Sequence, residues 1–133
     1  MSHDDRRLEF QNRILNGAIG VLTDHSQFLV SQSADLDPEF LSIFRTENRD
    51  AVGPLIEHTV KWLQAARERS DIDPEAVTIA TYMVAMCYRL AERLVRTDIS
   101  NSIRVNYGSS HVDWCLKNFD RNRLSHLHSE GNG

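Results

Sequence analysis

Six histidines invite a metal test. His126 and His128 form an HxH pair near one end of the chain, and His3 lies at the other. His25, His58 and His111 stand far apart and lack the i, i+4 histidine or carboxylate partner that helical zinc sites use. Glu57-His58 belongs to no HExxH. The spacing therefore predicts no metal site. Nor is there a GxSxG elbow, a phosphate-binding loop or a GxGxxG turn. Ser109, Ser110 and His111 adjoin, but a helix start accounts for the serines. The pairs Asp35/Asp37 and Asp71/Asp73 fall at helix starts, where capping uses a carboxylate better than acid–base work does. The sequence thus predicts no catalytic residue, no cofactor and no enzyme. The rival reading, a small helical catalyst, needs His58 or His111 beside a carboxylate in a polar cavity.

Arg89, Arg93 and Arg96 recur at i, i+4 and i+7 and, with Glu92, read as a solvated face or as ion pairing between subunits. A nucleic-acid surface would need interleaved aromatics and a wider basic patch. The chain has 15 Lys+Arg against 19 Asp+Glu, a net charge of -4, which excludes a free-standing basic nucleic-acid module. Cys87 and Cys115 make no CxxC and sit among apolar residues, as buried thiols in a reducing compartment do. "MSHDDRRLEF" holds no apolar signal core, and a cytoplasmic location is expected. At 133 residues, with 41% hydrophobic and 26% charged, one globular domain with its own core is expected.

The elements that must carry these residues read as helices. Asp4 or Asp5 can cap a first one, in which Leu8, Ile14, Leu15, Ala18, Ile19 and Leu22 recur at helical spacing. "SADLDPEF" marks a boundary, after which Phe40, Leu41 and Phe44 share a face. Gly53-Pro54 breaks or bends the chain. Leu55, Ile56, Thr59, Val60, Leu63 and Ala66 then form one stripe, with Glu57, Lys61, Arg67, Glu68 and Arg69 toward water. In "SDIDPEAV", Asp73 caps and Pro74 opens a helix to Val95. "RTDISNSIRVNYGSS" reads as a polar connection, and Ser110 starts a last helix bearing Val112, Cys115, Leu116 and Phe119. No strand pattern competes. The expected fold class is all-α: five or six helices in an antiparallel bundle over 1–125, then a flexible tail, 126–133.

"AVTIATYMVAMCY", Ala76 to Tyr88, has no charge at all. At 13 residues it is shorter than the roughly 18 that span a bilayer, and arginines follow it at once. A helix apolar on every side must be covered on every side. In a chain this short, the expected cover is its own core, a second copy of the chain and a small apolar ligand. Small residues such as Ala76, Ala80 and Ala91 permit a close helix approach. Met83 and Met86 suit an irregular pocket.

The order "HSQFLVSQSADLDPEF" followed by "RDAVGPLIEHTVKWLQAARERSDIDPEAVTIATYMVAMCYRLAERL" resembles the C-terminal regulatory domain of TetR-family transcription regulators. The resemblance covers roughly Leu15 to Phe119. It implies an all-α domain that binds a small, often hydrophobic molecule between helices, and a homodimer through the last two long helices. Here those are Pro74–Val95 and Ser110–Leu124. The dimer face would comprise Met83, Cys87, Leu90, Leu94, Val112, Cys115, Leu116 and Phe119. The pocket would be lined by Phe28, Phe44, Trp62, Tyr82, Met86 and Arg89. The family's helix-turn-helix is not found ahead of the first helix, so no direct nucleic-acid contact is expected, and no membrane. The alternative is a stand-alone helical module that docks another protein.

Overall fold

A computed structural model describes the backbone of residues 3–32, 46, 48–69, 71 and 73–131; side chains are described from 6 to 120 within those ranges, Arg49 apart. Among the described residues six helices follow one another: α1 (His3–Asp24), α2 (Ser26–Ser31), α3 (Val52–Arg67), α4 (Pro74–Arg93), α5 (Thr97–Tyr107) and α6 (Ser109–Gly131). A short 3-10 turn, Arg49–Ala51, leads into α3. No strand occurs among the described residues, and the class is all-α. No helix in them is long and apolar enough to cross a membrane. The expected tail, 126–133, lies beyond the described side chains, and Phe40, Leu41 and Phe44 lie outside the described residues.

Helix starts follow their chemistry. The Asp73 carboxylate accepts from the backbone N–H groups of Glu75 and Ala76, at 3.1 and 3.2 Å, and Pro74 sits where no N–H is needed. Gly53 and Pro54 fall in the first turn of α3, so the proline removes no helical hydrogen bond. Ile56, Thr59, Leu63 and Ala66 form the buried stripe of that helix. Thr59 and Thr81 keep their hydroxyls satisfied in apolar surroundings by donating back to the carbonyls of Leu55 and Val77.

α4 is the spine, packed by α1, α3, α5 and α6. Met83, Val84, Ala85, Met86, Cys87 and Tyr88 are buried in succession. At about 100° per residue, such a run points in every direction around the axis. The chain therefore covers the stretch Met83–Tyr88 by itself, so the side expected to await a second copy is not bare around Met83, while Thr78 is exposed and Val77, Ile79 and Tyr82 are half-buried. Met83, Cys87, Val112, Cys115 and Phe119 are wholly buried, and Leu90 nearly so. These six lie in the core and not on a face that a partner could reach. Leu116 is half-buried, and Leu94 is exposed at the C-terminal cap of α4.

The second correction explains the first. The polar stretch expected to be a connection is α5. Ile99 and Ile103, one turn apart, are buried, and Gly108 ends the helix with φ +100°. α5 packs on α4 and supplies part of the cover that seemed missing. Arg104 on α5 donates from Nε to the Tyr88 hydroxyl on α4 at 2.7 Å and from Nη2 to Asp113 on α6.

α1 is strapped to the start of α4 by Gln11, a buried amide. Its Oε1 accepts from the backbone N–H of Asp73 at 2.7 Å, and its Nε2 lies 3.5 Å from the Asp71 carbonyl. A buried amide without partners would cost about 1–3 kcal/mol, so these contacts fix how the two helices meet.

Candidate functional site

The expected pocket residues do not surround a common hollow. Phe28 is buried, with the Arg96 guanidinium over its ring at 5.4 Å. Tyr82 meets Phe119 edge to face at 5.1 Å, and Arg89 covers the same Phe119 ring while pairing with Asp120 at 2.6 Å. Met86 is core, Trp62 packs half-buried against it, and Phe44 lies outside the described residues. Tyr82 and Arg89 do come together, but around a packed ring. The arginine ladder is spent in the same way: Arg96 pairs with Asp98 at 3.0 Å, as Arg89 does with Asp120.

A cleft of about 590 Å³ opens elsewhere, between the end of α1, α2 and the start of α3. Leu22, Val30, Ile56 and Val60 give it aliphatic walls. Thr23, Ser26, Gln27 and Ser31 place hydroxyls and an amide around them, and Glu57 is the one charged residue in the lining among the described residues. Sequence spacing makes this hollow. The turn at His25 breaks the α1–α2 run, so Val30, 43% exposed, faces the cleft and not the core. Gly53 then leaves space where a side chain would stand: an added Cβ would meet only Val30, at 3.5 Å. Volume and lining suit a small molecule that is mostly apolar with one or two polar groups. The signal in the sequence was the glycine beside the proline, which reads first as a helix boundary.

A second hollow, about 700 Å³, lies between α1 and the α5–α6 junction. Asn12, Arg13 and Asn16 of α1 face Asn106, Tyr107 and His111 across it. His111 is one of the two histidines on which a catalytic reading would rest; the other, His58, is exposed on α3. Glu9 lines the same groove, but Arg13 is the group that reaches the imidazole, with Nη1 2.9 Å from Nε2. A guanidinium can only donate, so Nε2 accepts and the ring proton sits on Nδ1. That contact occupies the lone pair a general base would use. Burial, and then the nearby Arg13 charge, hold His111 below its ordinary range. The Tyr107 hydroxyl is pushed well up, chiefly by burial beside Cys115. Cys87 and Cys115 form no disulfide, and burial pushes their thiols up to about 12 and about 11, so neither is a ready nucleophile.

No family model matches the chain, and no curated protein or solved structure compared with it is similar. The likeness to TetR regulatory domains rests on the order of sequence features alone.

Proposed function

We propose that the chain is a helical ligand-binding domain that takes a small, predominantly apolar molecule in the α1–α2–α3 cleft, as the regulatory domains of TetR-like regulators do. One observation carries this reading: the aliphatic walls of Leu22, Val30, Ile56 and Val60 stand around open space with a fringe of hydroxyls. Apolar walls left beside solvent gain free energy when an apolar body covers them, and the polar fringe orients it. The reading keeps the ligand half of the TetR likeness and makes no use of its dimer face.

The test fills the cleft from within. Gly53→Leu projects an isobutyl group into it, while Gly53→Ala imposes the same backbone restraint before Pro54 without filling it. Octanol should raise the thermal midpoint of the wild-type chain and of Gly53→Ala with concentration, as any ligand of the native state does. In Gly53→Leu the rise should vanish. An unshifted wild type, or an equal shift in Gly53→Leu, would reject the cleft as the site.

A further inference from the structure

We infer that the groove between α1 and the α5–α6 junction is a second binding site, one for the carboxylate of a small organic acid. Three features of the groove point to an anion. Arg13 is held by a neutral imidazole, and no carboxylate among the described residues is paired with it. Arg69, Arg89, Arg96 and Arg104 each lean on an aspartate instead. A guanidinium positioned by a neutral acceptor keeps its full charge for a ligand, and its remaining N–H groups match the two oxygens of a carboxylate.

Asn16 adds a donor of known orientation. Its Oδ1 accepts from Nη1 of Arg67 at 2.7 Å, so its Nδ2 is the group left to donate. The His111 ring adds no free lone pair on the side of Arg13, because its Nε2 is taken by that guanidinium. Arg13 and Asn16 thus offer donors to this groove, while Asn12, which also lines it, keeps a buried Oδ1 without a partner as an acceptor beside them. Glu9, exposed one turn before Arg13, is the only carboxylate in the lining among the described residues; it opposes an anion, and Arg13 and Asn16 are exposed beside it.

The walls also distinguish an organic acid from a bare inorganic anion. Leu8 and Tyr107 border the groove, and the Tyr107 ring lies so close to α1 that a Cβ on Gly17 would stand 2.1 Å from it. Tyr107 in turn stacks on His111, with centroids 5.6 Å apart and planes 21° from parallel. The ring that fills the space over Gly17 therefore also sets the imidazole that holds Arg13. An acid of this class would place its carboxylate on Arg13 and Asn16 and its apolar body along Leu8 and Tyr107.

Benzoate, its neutral isostere benzamide and inorganic phosphate serve as probes, each followed by titration calorimetry on the full chain. Benzoate should bind at millimolar concentration or better, and benzamide and phosphate at least tenfold more weakly. Arg13→Gln keeps an N–H for His111 but removes the charge, and should weaken benzoate about tenfold or more. Asn16→Asp keeps the Arg67 contact, now as an ion pair, so the fold is retained. It removes the Nδ2 donor and adds a like charge, and should abolish binding. Circular dichroism checks that both variants are folded. Equal affinity for benzoate and benzamide, tighter phosphate, no binding by any probe, or benzoate binding unchanged in either variant would overturn the assignment. Octanol binding in the other cleft should be unaltered in both variants, so this site and the apolar one stand or fall separately.

Discussion

Leu22 and Thr23 of α1 face a cleft walled by aliphatic side chains, whereas Asn12, Arg13 and Asn16, about two to three turns earlier, face a groove walled by carboxamides, an imidazole and a phenol. The two hollows differ in what holds them open. The groove is fixed by directional contacts: Arg67 on Asn16, Arg13 on His111, and the Tyr107 hydroxyl 3.6 Å from the Cys115 sulfur. The cleft is fixed by shape, through the His25 turn and the missing side chain at Gly53. Directional contacts give selectivity for a charge and a geometry. An aliphatic wall gives adaptable affinity for bulk. One helix can thus present two unlike surfaces, because α4 behind it absorbs the packing.

That dependence supplies the largest lever. Met83 on α4 is wholly buried, so Met83→Ala should cost about 2–5 kcal/mol in urea denaturation. Both hollows rest on the same spine and should lose cooperativity together. The wild-type midpoint should not vary with protein concentration, because Met83 is covered by its own chain. A concentration-dependent midpoint, or a Met83→Ala variant as stable as the parent, would return the cover to a second subunit.

The all-α class was legible because apolar residues recur at helical spacing and because Asp73-Pro74 and Gly53-Pro54 carry start signals with a mechanism. The cover of Met83–Tyr88 on every side by its own chain was not legible, and the reason is α5. Its sequence is mostly polar, and only Ile99 and Ile103 carry its buried side, too few to outweigh Asn, Ser and Thr in a reading by composition. Read as a connection, that stretch leaves α4 without a wall, and the expectation of a partner follows from the gap. The sites escaped for a different cause. Arg13 and His111 are 98 positions apart, and nothing local marks an arginine that will be held by a neutral ring. Gln11 carries no local mark either, since a single amide at helical spacing gives no sign that it will be buried.

A smaller change separates the two regions. Gly17 and Gly20 look alike in the sequence, yet a Cβ at Gly17 would collide with the Tyr107 ring, while at Gly20 it would meet nothing within 4 Å. Gly17→Ala should therefore cost about 1–3 kcal/mol and displace Tyr107 and His111 with it. Benzoate binding should fall and octanol binding persist. Gly20→Ala should stabilise by about 0.5–1 kcal/mol, since it gains helix propensity without a clash. Equal effects of the two substitutions in chemical denaturation would deny that the groove depends on this close approach.

Val95 offers a change that should touch neither hollow. The Arg96 N–H bonds to the Ala91 carbonyl at 2.8 Å, and the Val95 N–H to that of Glu92, closing α4 with a Schellman turn. Val95 occupies the left-handed position, φ 56°, that glycine normally takes there. A β-branched side chain in that conformation is strained, and at 77% exposure it packs little in return. Val95→Gly should raise stability by about 1 kcal/mol. Octanol and benzoate affinities should stay at their parental values; a change in either would couple the turn to that hollow.

The slightest effect expected is one of pH, and it tells the two regions apart without any ligand. The native state holds His111 below its ordinary value of 6.5, first through burial and then through the Arg13 charge. The unfolded chain therefore takes up this proton more readily than the native one. The stability contributed by the neutral ring is present above pH 6.5 and is lost as the pH falls through the lower native value. Protonation would also remove the Nε2 lone pair and set two cations face to face, releasing Arg13. Other groups titrate over the same range, so the quantity to follow is the difference between the wild-type chain and His111→Asn. That difference should be constant above pH 6.5 and shrink below it. Benzoate binding should respond in the same window, while the octanol cleft, which no histidine lines among the described residues, should not follow it. A flat difference across the window would mean that Arg13 does not depend on a neutral His111, and the groove would lose the contact that orients its charge.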